Sequence, residues 1–237
     1  MNKPSISFFC PAYNDEGSLP VLIPKTVRLL EKVCASYEIV IIDDASPDNT
    51  GKVADLLAKK YPYVSVIHHK KNRGYGGALK SGFRHAKKYP YVFYTDGDSQ
   101  YDVNVLKQML VYIDEYDAIV GCRRMRELTW QRKFQSTCYN KLIRFLFGIN
   151  SRDVNCAIRL INRKSVNKLN LSSKSAFLPA EMLIKLHEQG ARVKELLVIH
   201  YPRTTGQASG GKLSVIIPTF IEMLTYYFHR KKVEKAN

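Results

Sequence analysis

Residues 91–100 read Tyr-Val-Phe-Tyr-Thr-Asp-Gly-Asp-Ser-Gln. Tyr91–Thr95 is a run of β-favouring residues that passes straight into two carboxylates separated by one glycine. A strand that is apolar along its length, rather than at alternate positions, is buried on both faces, as in a parallel sheet covered by helices. The same construction recurs to either side at intervals of roughly 25 to 35 residues. Ser5–Cys10 runs into Pro11-Ala12-Tyr13-Asn14-Asp15-Glu16, and Glu38–Asp43 into Asp44-Ala45-Ser46-Pro47-Asp48; Val64–His68 and Asp117–Cys122 complete the series. Helical patterns lie between or after them: Ser18–Cys34, Asp48–Tyr61 with Asp48 as a candidate N-cap, Gly77–Lys88 and Val103–Tyr116. This alternation predicts βαβ units in a doubly wound α/β fold, a mostly parallel, Rossmann-like sheet flanked by helices.

Past Cys122 the pattern loosens. Trp130–Phe147 reads as a long amphipathic helix, Asp153–Ile161 as extended, Pro179–Gln189 as a helix closed by Gly190, and Val193–Ile199 as a strand. A polar, glycine-rich loop, Arg203–Lys212, leads to a C-terminal amphipathic helix with a basic end, His229-Arg230-Lys231-Lys232. No repeat or flexible linker divides the chain, so residues 1–212 read as one domain and 213–237 as an appended helix and basic tail.

Composition narrows the function. The 237 residues carry 37 Lys+Arg against 21 Asp+Glu, a formal charge of +16, with 45% hydrophobic residues. This is a globular composition with an excess of positive charge suited to an anionic partner: nucleic acid, a phosphorylated ligand or an acidic membrane surface. Five widely spaced cysteines without a C-x-x-C indicate neither a disulfide framework nor a zinc site, and point to a reducing cytosol. The N-terminus does not read as a signal peptide. The apolar stretch Leu213–Phe228 would reach about 24 Å as a helix, short of the ~30 Å hydrocarbon core. The expected placement is therefore cytoplasmic, with peripheral membrane association.

In open parallel sheets ligands bind beyond the carboxyl ends of the strands. Asp96-Gly97-Asp98 can present oxygens to a hard divalent cation, which would neutralise a departing diphosphate; the same residues also suit a solvated acidic turn. Asp43-Asp44 could meet a nucleobase edge or cap the following turn. Asn72-Arg73-Gly74-Tyr75-Gly76-Gly77-Ala78 suits a phosphate loop, or a tight turn with close helix–sheet packing. The six histidines show no shared metal spacing. No G-x-G-x-x-G follows the first strand, which removes the dinucleotide-binding reading.

Taken together, Pro11-Ala12-Tyr13-Asn14, Asp43-Asp44-Ala45-Ser46-Pro47-Asp48-Asn49-Thr50, Asn72-x-Gly74-x-Gly76-Gly77-Ala78 and Asp96-Gly97-Asp98-Ser99-Gln100 resemble an inverting family 2 glycosyltransferase of the GT-A fold. The dolichyl-phosphate mannose synthase-like branch is the most similar. The resemblance implies a nucleotide-sugar half, 1–122, and an acceptor half, 123–212. It implies donor binding by Pro11, Tyr13, Asp15, Ile42, Asp44, Asp96, Gly97, Gln100, Arg203 and Lys212, with Mg²⁺ or Mn²⁺ held by Asp96, Asp98 and Gln100. Asp98, Arg123 and Arg132 would carry catalysis, and Arg123, Arg132, Asp153 and Glu181 would bind the acceptor. Asp15 stands where the family usually has Glu, and Cys156 and Ile158 where Gly and Phe are commoner.

The expected activity is transfer from a GDP- or UDP-sugar to a polyprenyl phosphate, at an anionic membrane surface, without nucleic acid. A membrane protein or a second copy of the chain could be a partner. Three alternatives compete. Transfer to a sugar hydroxyl would need a general base, for which Glu181 is the candidate, though Glu181 also suits a polar helix residue packing near the site. A sugar-1-phosphate nucleotidyltransferase would need a basic glycine-rich loop where Pro11–Glu16 stands. A nucleic-acid-binding protein is disfavoured by carboxylates clustered at the strand ends.

Overall fold

In the computed structural model the described residues are 3–124, 130–203 and 213–236, without the side chains of 131, 132 and 233–236. The five expected strands form: β1 (Ser5–Ala12), β2 (Ser36–Asp43), β3 (Val64–His68), β4 (Tyr91–Tyr94) and β5 (Ala118–Arg123). Two more follow, β6 (Arg159–Asn162) and β7 (Val193–Val198), in a seven-stranded sheet of order β3-β2-β1-β4-β6-β5-β7. All pairings are parallel except those of β6, which runs antiparallel to both β4 and β5. This inserted strand lies between the parallel set β3-β2-β1-β4 and the parallel pair β5-β7.

Helices cover both faces: α1 (Leu19–Val33), α2 (Thr50–Lys60), α3 (Gly74–His85), α4 (Leu106–Met109), α5 (Trp130–Phe147), α6 (Arg163–Asn167), α7 (Leu178–Glu188) and α8 (Leu213–Ala236). Strand residues alternate between two cores despite their unbroken apolar character. Ile6, Phe8, Ile39, Ile41 and Phe93 pack with α1 and α2 residues, whereas Phe9, Val40, Ile42, Val92 and Tyr94 pack with residues of α3, α5 and α7. In the central strands both faces are therefore buried, as the sequence pattern requires, whereas the edge strands β3 and β7 are only partly buried.

Several boundaries differ from expectation. Val103–Tyr116 is not one helix: a 3₁₀ turn at Val103–Val105 leads into the single turn of α4 and a second 3₁₀ turn ending at Tyr112. The Asp102 side chain accepts from Asn104 N, which fixes the tight start. Asp48 does not occupy the cap position of α2, which falls to Asn49, yet its Oδ1 still accepts from Thr50 N at 3.0 Å. The extended segment expected from Asp153 becomes a strand only at Arg159. Helix α3 begins three residues early, so Gly74, Gly76 and Gly77 lie inside its first turn.

Glycine is required on α3 by close approach. A Cβ at Gly82 would stand 2.1 Å from the Phe9 ring, so the helix packs directly on β1. Gly82→Ala should therefore destabilise the fold by about 1–3 kcal/mol in urea unfolding. Combining it with Phe9→Leu, which vacates that space, should cost less than the sum of the two single losses.

Candidate active site

Strands β1, β2 and β4 are parallel neighbours, so their carboxyl ends share one edge. Just past each end one non-glycine residue adopts a left-handed backbone: Asn14 (φ 58°), Ala45 (φ 57°) and Ser99 (φ 58°). L-residues adopt this conformation at a cost of roughly 1–2 kcal/mol each, and such strain concentrates at functional sites. Gly97 ties two of the ends together. Its N–H donates to Pro11 O at 2.9 Å, and a Cβ there would stand 2.8 Å from that oxygen and 3.2 Å from Asp15 Oδ2. No side chain fits between the acids that this contact brings together.

Three carboxylates meet at this edge. Burial, then Asp98, push Asp96 up to about 8, against the hydrogen bond from Tyr75 Oη to its Oδ1 at 2.9 Å. Burial likewise raises Asp98, opposed by the Gln100 N–H and by Arg203, whose Nη1 lies 3.9 Å from Asp98 Oδ2. Asp15 is pushed to about 6 by burial, while Tyr13 N–H and an ion pair with Arg203 pull the other way. Arg203 thus spans Asp15 and Asp98. The site is short of positive charge.

On the expected nucleoside side, Tyr13 is exposed, Pro11 is buried and Ile42 has its side chain wholly inside the core with α3. Asp44 is buried: its Oδ1 meets His69 Nδ1 at 2.6 Å and accepts from Arg73 N at 2.8 Å, and His69 Nε2 meets Ser81 Oγ at 2.7 Å. Asn72 and Arg73 thereby attach the glycine-rich segment to the end of β2. His69 is a supporting residue that metal-spacing arguments passed over. Its only sequence signal is its place directly after β3.

On the acceptor side, Arg123 and Asp153 form a side-on pair, Nε–Oδ2 2.6 Å and Nη2–Oδ1 2.8 Å. Burial alone would lower the arginine, but these bonds override it and hold the guanidinium firmly protonated. The pairing uses Nε and one Nη2 hydrogen, leaving the Nη1/Nη2 end of the fork. Gln100 turns its amide onto Tyr201 O at 2.9 Å. Glu181 is fully buried, its oxygens accepting from Ser172 N and Oγ, Ser173 N and Lys185 Nζ, and these bonds lower it against the effect of burial. Arg159 is fully buried and braces the carbonyls of Val154, Cys156 and Pro179. The Arg132 side chain and Lys212 lie outside the described residues.

The donor set suits a hard cation. Asp96 and Asp98 offer carboxylate oxygens whose mutual repulsion a divalent ion would relieve. Among the described residues no group of three or more His, Cys, Asp or Glu is arranged as a self-sufficient metal cage. A site completed by phosphate oxygens and water needs only one or two protein carboxylates.

Comparison with known proteins agrees with this architecture. The chain is 29% identical over 215 residues to an undecaprenyl-phosphate 4-deoxy-4-formamido-L-arabinose transferase of Shewanella sediminis, covering 89% of this chain and 63% of that one. It is 28% identical over 213 residues to an undecaprenyl-phosphate mannosyltransferase of Micrococcus luteus, covering 85% and 86%. The chain thus spans less than two thirds of the length of the Shewanella relative. Among solved structures, glucosyl-3-phosphoglycerate synthase of Mycobacterium tuberculosis with Mn²⁺, UDP and phosphoglyceric acid superposes with a TM-score of 0.72 at 15% identity, covering 94% of this chain and 78% of that one. A mannosyltransferase of Pyrobaculum calidifontis with GDP-mannose and Mn²⁺ superposes with a TM-score of 0.64 at 17% identity, covering 87% and 59%. The fold is GT-A. The family model described as Glycosyl transferase family 2 matches residues 7–169, and the chain belongs to that family.

Proposed function

We propose that this protein transfers a sugar from a nucleoside diphosphate sugar to a polyprenyl phosphate with inversion at the anomeric carbon. The observation that carries this reading is the state of the acids around the strand ends. Among the described residues Asp15 is paired with Arg203, Asp153 with Arg123 and Glu181 with Lys185. A hydroxyl acceptor needs a base within reach to take its proton. A phosphate monoester is already ionised and needs a cation to hold it. Arg123 supplies one, and the Nη1/Nη2 end of its fork, outside the Asp153 pairing, has the geometry to grip two phosphate oxygens.

In this reading an acceptor phosphate oxygen attacks the anomeric carbon from the face opposite the diphosphate. The bond to the diphosphate breaks with its electron pair on the leaving oxygen. Asp96 and Asp98 would hold Mg²⁺ or Mn²⁺, which supplies electrostatic stabilisation of that leaving group. Arg203, already beside Asp98, would add positive charge on the same side. Residues 1–122 then serve the donor and 123–212 the acceptor. The names of the relatives support the acceptor class, since both are undecaprenyl-phosphate transferases. The ligands of the structural neighbours, UDP and GDP-mannose with Mn²⁺, support the donor class and the ion.

The same reading places the protein on a membrane surface. No described helix is long and apolar enough to cross a bilayer. Helix α8 nonetheless exposes Leu213, Ile217, Ile221, Leu224 and Phe228 at helical spacing, ahead of Arg230, Lys231 and Lys232. Helix α5, joined to it by the Tyr139–Phe220 ring contact, exposes Trp130 (77%), Phe134 and Phe145 (85%). Apolar stripes of this size with basic neighbours fit the interface of an anionic bilayer. Helix α8 also buries Met223 and Thr219 against the body, so it is apolar on two sides rather than simply amphipathic.

Three outcomes test the proposal. Asp98→Asn should reduce transfer at least about 100-fold with an unchanged circular dichroism spectrum, and EDTA should abolish wild-type transfer until Mn²⁺ is restored; full turnover in excess EDTA would remove the metal role. Arg123→Ala should raise the KM for a short polyprenyl phosphate about tenfold or more while nucleotide affinity by calorimetry stays near wild type, and Arg123→Lys should recover only part. Transfer to a free sugar hydroxyl that ignores Arg123 would overturn the acceptor class. Ile221→Glu with Phe228→Glu should lower co-sedimentation with phosphatidylglycerol vesicles at least about tenfold, since each side chain contributes roughly 1.5–3 kcal/mol when buried in an apolar phase; unchanged binding would exclude this face.

A further inference from the structure

Residues 172–175, between α6 and α7, present four consecutive backbone N–H groups, and two buried or half-buried carboxylates take all four. Glu181 of α7 accepts from Ser172 N and Ser173 N, both at 2.8 Å. Glu222 of α8 accepts from Lys174 N and Ser175 N, both at 2.9 Å, and from Ser175 Oγ at 2.5 Å. Hydrogen bonds to an ionised acceptor are about twice as strong as neutral ones. The segment is thus held in one conformation by two helices far apart in sequence.

The other side of this segment touches α3. A Cβ at Gly76 would stand 2.7 Å from the carbonyl carbon and oxygen of Lys174 and 2.8 Å from Ser175 O. The first turn of α3 therefore rests on the Lys174–Ser175 backbone with no space for even a methyl group. The residue before Gly76 is Tyr75, whose hydroxyl donates to Asp96 Oδ1 at 2.9 Å. Glu222, the 174–175 backbone, Gly76, Tyr75 and Asp96 form one continuous series of contacts from the C-terminal helix to the strand end.

We propose that Glu222 and Tyr75 are positioning residues for the Asp96 carboxylate: Glu222 sets the 174–175 backbone, that backbone sets the first turn of α3, and Tyr75 orients Asp96 for a divalent cation. The inference rests on reading Asp96 as a cation-binding carboxylate. The competing account is a clasp that only stabilises the 172–175 segment. The two differ in what they predict at Asp96. Partners that hydrogen-bond to a ligating carboxylate typically contribute 10- to 100-fold to metal affinity, whereas a purely structural clasp leaves that affinity alone.

The experiment uses the full chain and Mn²⁺ alone, with binding read from loss of the free-ion electron paramagnetic resonance signal. Tyr75→Phe should weaken Mn²⁺ affinity about tenfold. Glu222→Gln should weaken it about three- to tenfold, and the Tyr75→Phe/Glu222→Gln double variant should be no weaker than Tyr75→Phe, because both act through one contact. Gly76→Ala, which disturbs the same contact from the α3 side, should reproduce the Glu222→Gln loss and guards against poor folding of that variant. Lower thermal stability in Glu222→Gln and Gly76→Ala with Mn²⁺ affinity within about twofold of wild type, or full additivity with Tyr75→Phe, would overturn the inference. Asp96→Asn separates the two levels. If it abolishes Mn²⁺ binding while the other variants bind normally, only the positioning role fails; if it binds normally, the cation reading of Asp96 fails as well.

Discussion

Packing Asp15, Asp96 and Asp98 against one another at the end of a buried sheet is the constraint that organises the rest of the molecule. Carboxylates taken out of water resist ionisation, and neighbours of like charge add to the resistance. Here the result is an Asp96 held near 8 and an Asp15 near 6. Around them the fold places donors: Tyr75 Oη on Asp96, Gln100 N–H on Asp98, Tyr13 N–H on Asp15, and Arg203 across Asp15 and Asp98. These donors leave the cluster deficient in positive charge. In the function proposed here, Asp96 and Asp98 would hold a divalent ion whose charge would offset the repulsion between their carboxylates.

That arrangement was largely legible in the sequence because its signals are local. A strand apolar on both faces that stops abruptly at Asp-Gly-Asp announces both the sheet and the edge where ligands meet it. The supporting residues were not legible, because their roles depend on contacts distant in sequence. Tyr75 lies 21 residues from Asp96 in a glycine run that suited a turn. Helix propensity argues against starting α3 at Gly74, yet the first turn forms there because Gly76 must lie on the Lys174 carbonyl. Strand β6 was legible only as the end of the extended segment Asp153–Ile161, without its start or its antiparallel pairing. Its first residue is a fully buried arginine, which composition alone assigns to the surface, and only three backbone carbonyls make that burial tolerable.

Glu181 shows the limit of reading a residue type without its partners. On residue type alone, as one of several acids in the acceptor half, it suited a general base. In the fold its oxygens are filled by two backbone amides, a hydroxyl and Lys185. A carboxylate so satisfied is a weak proton acceptor, and its lowered pKa has the same cause. Arg123 presents the opposite case. Its bond with Asp153 fixes the guanidinium plane and still leaves one end of the fork, so pairing orients the group without consuming it.

Helix α8 connects the two ends of this argument. Its inward face buries Met223 and extends Glu222 to the 174–175 backbone, while its outward face exposes a row of large apolar side chains. A helix apolar on more than one side is ordinarily covered on more than one side. With the protein body on one side, a bilayer interface on the other satisfies that rule, and it is where a polyprenyl phosphate would present its headgroup. The residue that would orient the donor-side carboxylate then belongs to the helix that would touch the acceptor's membrane. Any coupling between α8 and Asp96 would run through two side chains, Glu222 and Tyr75, and through the close approach of Gly76 to the Lys174 carbonyl.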